Sequence, residues 1–145
     1  MLNEEQHQEI IEEVGIHKWG AGYFSIDTDG NVICQPKGLQ SGSIALPNIV
    51  NQIKAKGLST PCIIRFPQII KEQLNKMYTS FHSAIKEYQY SGSYFGVFPF
   101  KVNQRREFID SIVSCGYDLS WGLEVGSKTE FMAALSYTMH QKALL

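Results

Sequence analysis

The chain is short of cysteine, and the cysteines it has do not pair by spacing. Cys34, Cys62 and Cys115 are odd in number and isolated, with no Cys-x-x-Cys motif. Neither a disulfide framework nor a zinc framework is written in them, and they read as free thiols. Histidine is equally thin: His7, His17, His82 and His140 are scattered, and no metal site is read from them. An excess of charge of either sign is also lacking. The formal net charge is −1, which gives no push toward nucleic acid or an anionic membrane. No apolar run approaches the ~20 residues of a membrane-spanning helix. The opening Met1-Leu2-Asn3-Glu4-Glu5 is acidic and polar, unlike a secretory or organellar signal. A cytoplasmic location is the expectation. Internal repeats and low-complexity tracts are missing as well.

What is present is enough chain, 145 residues, to bury one ordinary core. Asn3 caps a predicted helix over Glu4 to Val14, with acidic residues in its first turn and Gly15 at its end. Two short apolar strands, ending near Ile26 and starting near Val32, flank Asp27-Thr28-Asp29-Gly30, which is a hairpin signal. Pro36 to Gly42 reads as a polar loop. From Leu46 the pattern changes. Leu46, Ile49, Val50 and Ile53 form a helical face stopped at Lys56-Gly57. Cys62 to Phe66 reads as a short strand, and a long helix follows from about Pro67. The stripe of that helix, Ile70, Leu74, Met77, Phe81, Ile85 and Tyr88, reads as core. A strand runs toward Lys101, then a helix marked by Phe108, Ile109, Ile112 and Val113. Leu119 to Val125 reads as another strand. Ser127-Lys128-Thr129-Glu130 has capping-box spacing and opens a helix with Phe131, Met132, Leu135 and Met139 on one side. Alternation of strand and helix at this spacing predicts parallel βα units. Lys142-Ala143-Leu144-Leu145 reads as the first residues of a further strand. The division expected is an N-terminal helix and β-hairpin over 1–45, then βα units over 46–145.

Lys101 closes the apolar, aromatic run Tyr94-Phe95-Gly96-Val97-Phe98-Pro99-Phe100. A lysine at the end of a buried strand points at the mouth of an α/β fold. Partial desolvation there favours the neutral, nucleophilic amine, and such an amine among apolar walls is equipped to form a Schiff base. The plain alternative is a solvated strand-end lysine with no chemical role.

Phe98-Pro99-Phe100-Lys101-Val102-Asn103, with Phe108-Ile109, Ile112 and Gly116 following, resembles the cofactor-lysine signature of the fold-type III pyridoxal-phosphate decarboxylases. Val102-Asn103-Gln104 after the lysine resembles the arginine-specific, biosynthetic branch of that family. Three more blocks agree in order. They are Trp19-Gly20 with Tyr23-Phe24 and Gly30; Arg65-Phe66-Pro67 with Ile69-Ile70; and Gly122 to Lys128 with Glu130. The resemblance implies an α/β fold, a partial (β/α) barrel of the fold-type III class behind the N-terminal helix and hairpin. It implies decarboxylation of L-arginine to agmatine and carbon dioxide, with pyridoxal phosphate bound through Lys101 and magnesium as a further family cofactor without a site here. It also implies a homo-oligomer for the full-length enzyme. The remaining strands, a second β-rich domain and the groups that hold the cofactor's ring and phosphate are not found in these residues. The chain is therefore expected to be an N-terminal fragment, inactive alone and prone to association through uncovered apolar faces.

Other residues carry two readings each. Glu124 matches an acidic family position near the lysine, and is equally read as a strand-end acid ahead of the next helix. Glu130, Ser127 and Asn103 are better explained as helix caps. His82 reads as a packed or surface residue. Arg65 in its apolar run either reaches the barrel end or pairs with an acid. Two alternatives to an arginine decarboxylase segment remain: a segment of another fold-type III decarboxylase or racemase, and a non-catalytic, partner-binding remnant.

Overall fold

The computed structural model describes residues 2–36, 42–137 and 139–145. The structure is mixed α/β and divides into two compact units, Met1–Ile69 and Ile70–Leu145. Most of the expected loop over 36–42 lies outside the described residues.

The first unit opens with α1, Glu4–Val14. Asn3 and Gln6 exchange side-chain and backbone hydrogen bonds, a full capping box. Gly15 ends the helix in the left-handed region, φ 62°, where a side chain is costly. A short α2, Ile16–Trp19, leads to the hairpin of β1, Phe24–Ile26, and β2, Val32–Cys34. The strands pair antiparallel with Ser25 opposite Ile33, as the Asp-Gly signal predicts. A two-residue β3, Ile44–Ala45, joins the other edge of β2, and α3, Leu46–Ala55, follows. Ile16, Tyr23, Ile26, Ile33 and Cys34 are buried in this unit. His7 Nε2 lies 2.8 Å from the Ile26 carbonyl and so pins α1 to the hairpin.

Asp27 organises the hairpin turn. Its carboxylate accepts from the backbone N–H groups of Asn31, at 2.8 Å, and Asp29, at 2.9 Å, and from the Asn31 side chain, at 3.1 Å. The Asn31 backbone N–H does most to hold the carboxyl below its ordinary value, against a smaller opposing effect of burial. A carboxyl lowered in the folded state gives a contribution that is complete above the ordinary carboxylate value. That contribution fades as pH falls through the lowered value. An NMR titration should therefore find the Asp27 midpoint below the ordinary carboxylate value. Asp27→Asn should remove the acid-side weakening of the turn. An Asp27 midpoint at or above the ordinary carboxylate value would refute this.

Residues 62–66, expected as a strand, form none. An extended apolar run becomes a strand only when its N–H and C=O groups meet a ladder, and no strand lies beside it among the described residues. The helix expected next is present as α4, Pro67–Glu87, but only the first part of its stripe is core, where Ile70 packs on the cluster and Leu74 is buried. Only Leu74 is buried, whereas Met77, Phe81 and Tyr88 are exposed. Amphipathic spacing supplies a face, and burial needs something packed on that face. Near its C-terminal end the cover is a stacked Tyr94 ring, 4.1 Å from Phe81.

In the second unit β4, Val97–Pro99, and β5, Gly122–Glu124, pair in parallel, with Pro99 opposite Glu124. Between them lie a 3-10 turn, Phe100–Val102, and α5, Arg106–Gly116. Helix α6, Lys128–Ala134, follows β5. Phe100, Ile109, Ile112, Val113, Leu123 and Ala134 form the core of this unit. Leu119 to Val125, expected as one strand, is instead a 3-10 turn over Tyr117–Leu119 and then the shorter β5. Helix α6 also turns a different face inward from the one expected. Ala134 is buried, while Phe131, Met132 and Leu135 are exposed and Met139 packs on the core from beyond the helix end. On the free edge of β5 the Leu123 N–H donates to the Leu144 carbonyl at 3.0 Å. Gly122 makes this approach possible, since a Cβ there would overlap the Leu144 carbonyl. The final apolar residues thus lie where a further strand would add to the sheet.

Candidate functional site

Parallel strands present their C-terminal ends on one side, and here that side carries the two sequence-predicted residues. Glu124 is the last residue of β5, half-buried and in register with Pro99. Lys101 stands two residues beyond Pro99 on the 3-10 turn. It is exposed, so the expected withdrawal of its amine from water is absent in this structure. The cause is local: the strand ends at Pro99 and the tight turn lifts Lys101 past the sheet, while Phe100 takes the buried place, 5% exposed.

Of the expected caps around these two only Ser127 is one; Arg105 holds the N-cap position of α5 without a side-chain cap hydrogen bond, and Asn103 instead makes a local turn. Asn103 Oδ1 accepts the Arg105 N–H at 3.2 Å, just ahead of α5. Ser127 Oγ accepts the Glu130 N–H at 3.2 Å. The reciprocal half of the expected capping box is different, however. Glu130 Oε2 accepts from the Gly126 N–H at 2.7 Å, one residue earlier than the box requires. Its second oxygen, Oε1, accepts from the Gln104 side-chain amide at 2.8 Å. Glu130 therefore joins the loop after β4 to the loop after β5. Sequence reading missed Gln104, because the contact spans 26 positions and no periodicity announces it.

Beside this bridge lies an open cleft of about 530 Å³, lined by Phe100, Gln104, Arg106, Asp110, Glu130 and Tyr137 among others. Arg106 Nε approaches Asp110 Oδ2 at 3.7 Å across one turn of α5, an exposed pair that adds little stability. Burial pushes the Tyr137 hydroxyl above its ordinary value, and Asp110 adds to this while Arg106 opposes it. Lys101 and Glu124 do not line the cleft. No group of His, Cys, Asp and Glu suited to a metal ion occurs among the described residues. No helix among them is long and apolar enough to cross a membrane. Cys34 is buried, Cys115 half-buried and Cys62 exposed, and none of the three is in a disulfide.

An amine and a carboxylate at the ends of neighbouring parallel strands can serve carbonyl chemistry, with the amine as nucleophile and the carboxylate as proton carrier or counter-charge. No protein-family model matches the chain. Biosynthetic arginine decarboxylase from Parasynechococcus marenigrum is 40% identical over 131 residues, 90% of this chain and 20% of that protein. The Gloeobacter violaceus enzyme of the same name is 40% identical over 130 residues, with the same coverage. The crystal structure of the biosynthetic arginine decarboxylase SpeA from Campylobacter jejuni superposes with a TM-score of 0.74 at 36% identity, over 86% of this chain and 20% of that one. This chain is homologous to the N-terminal fifth of biosynthetic arginine decarboxylase. It spans about a fifth of the length of the curated relatives it matches. The mixed α/β fold matches that region of the Campylobacter jejuni enzyme, and no closed barrel is seen among the described residues.

Proposed function

We propose that this chain is the lysine-bearing segment of a pyridoxal-phosphate-dependent arginine decarboxylase, with residues 46–145 as the first βα units of its barrel and residues 1–45 as a helix and hairpin ahead of them. The observation that carries the reading is Lys101 two residues past Pro99, the end of β4, which pairs in register with Glu124 at the end of the parallel β5, in a chain homologous to that enzyme. The donor set fits one end of the cofactor: a primary amine is what an aldehyde needs, and a carboxylate beside it can hold or pass the amine's proton. When bound, pyridoxal phosphate supplies the electron sink for loss of carbon dioxide. Lys101 would hold its aldehyde end, and Glu124 would orient the Lys101 ammonium and take up its proton. Phe100 and Phe98, packed on the core below, anchor the turn that carries the lysine. Magnesium belongs to the proposal by family resemblance only, as do L-arginine as substrate and a homo-oligomeric enzyme.

The test is a segment exchange. This chain is placed in the Campylobacter jejuni enzyme in place of its matching segment, and agmatine and carbon dioxide are measured from labelled arginine. The chimera should turn over arginine, and the chain alone should give no release above a cofactor-only control. A folded, cofactor-loaded chimera without turnover would favour a non-catalytic, partner-binding chain. Turnover of another amino acid in preference to arginine would move the assignment within the fold-type III group.

A further inference from the structure

Glu130 makes more contacts than a helix cap needs. A cap satisfies the first N–H groups of its own helix, and Ser127 already does this for α6. The Glu130 carboxylate instead divides its two oxygens between two loops. One accepts from Gly126, at 2.7 Å, in the loop after β5. The other accepts from Gln104, at 2.8 Å, in the loop after β4. Gly126 is two residues from Glu124, and Gln104 is three from Lys101.

We infer that Glu130 is a positioning residue, a clamp whose carboxylate fixes the Lys101 loop against the Glu124 loop through Gln104 and Gly126. Its bearing on catalysis rests on the proposed role of Lys101; the clamp itself does not. A carboxylate suits the task because it is acceptor-only, with two oxygens facing two donors. Gln at position 130 would have one acceptor oxygen for two donors and would turn an NH₂ toward the Gln104 NH₂. A Glu at position 104 opposite Glu130 would set two carboxylates face to face. The two changes together restore one donor and two acceptors, since Gln at 130 can donate to Glu at 104 and still accept from Gly126.

Hydrogen exchange followed by mass spectrometry or NMR on the intact chain tests this without any cofactor. In Glu130→Gln and in Gln104→Glu, amides over 100–104 and 125–127 should exchange about tenfold faster, the scale of one lost charge-assisted hydrogen bond. Exchange at Ile109 and Ile112 should stay unchanged. The double variant Gln104→Glu, Glu130→Gln should return both loops to within about twofold of the parent. Should Glu130→Gln unfold the chain, Gln104→Ala, a change at an exposed residue, must still loosen both loops. Loosening confined to 126–131, or no recovery in the double variant, would overturn the clamp and leave Glu130 a cap. If the clamp holds while cofactor label in the chimera misses Lys101, the functional reading fails and the clamp stands.

Discussion

Lys101→Ala, made in the chimera that carries this chain in an arginine decarboxylase, should lower turnover by roughly a thousandfold or more, about 4 kcal/mol of barrier. The reason is the absence of a substitute. The turn after β4 presents one primary amine, and Arg105 and Arg106, which follow it, are not nucleophiles because the guanidinium stays protonated. Lys101→Arg should fail nearly as completely, for it keeps the charge and loses the amine. Thermal stability should hardly move in either variant, because Lys101 is exposed and packs on nothing in the core. This pairing of large kinetic loss with unchanged stability separates a chemical role from a structural one. Loss of activity together with loss of fold would not support the assignment, and retained activity would contradict it.

Ile109→Ala should do the reverse, with a large loss of stability. Ile109 is fully buried, 0% exposed, at the centre of the cluster formed by Phe100, Ile112, Val113, Leu123 and Ala134. Truncation removes buried methylenes and leaves a cavity between α5 and the sheet. The expected cost is about 2–5 kcal/mol. Small domains hold only about 5–15 kcal/mol in total, so a large part of the stability would go. Denaturant titration of parent and variant should show the midpoint falling steeply. Phe131→Ala is the matched control: Phe131 is 42% exposed, and its loss should cost well under half as much. Equal costs for the two would mean that the core does not lie where the structure puts it.

Local chemistry was the legible part of the sequence. Asn3 and Gly15 bound α1 because capping and left-handed glycine act within a few residues. The Asp27 turn closes the hairpin for the same reason. Ser127 starts α6 where the sequence puts it. The parallel pairing of β4 with β5 was readable from strand–helix–strand spacing. What failed depends on neighbours that local pattern does not name. Cys62 to Phe66 has strand composition but no ladder beside it among the described residues. Met77 and Phe81 have core spacing on α4 but remain exposed. Lys101 was expected at the end of a buried strand, yet β4 stops at Pro99 and Lys101 lies exposed on the turn beyond it. The Gln104–Glu130 contact was invisible for a related reason: it is a tertiary hydrogen bond between two loops, and each residue alone looks like an ordinary surface amide or a capping acid.

Reduction with borohydride in the presence of pyridoxal phosphate, followed by peptide mapping, puts the identity of the cofactor lysine to direct trial. In the chimera the pyridoxyl label should fall on Lys101 and vanish in Lys101→Ala, while in the isolated chain the same treatment should scatter weak label over several exposed lysines. Label centred on Lys54, Lys76 or Lys86 in the chimera would contradict the assignment of Lys101, and the proposed place of this chain in an arginine decarboxylase would fall with it.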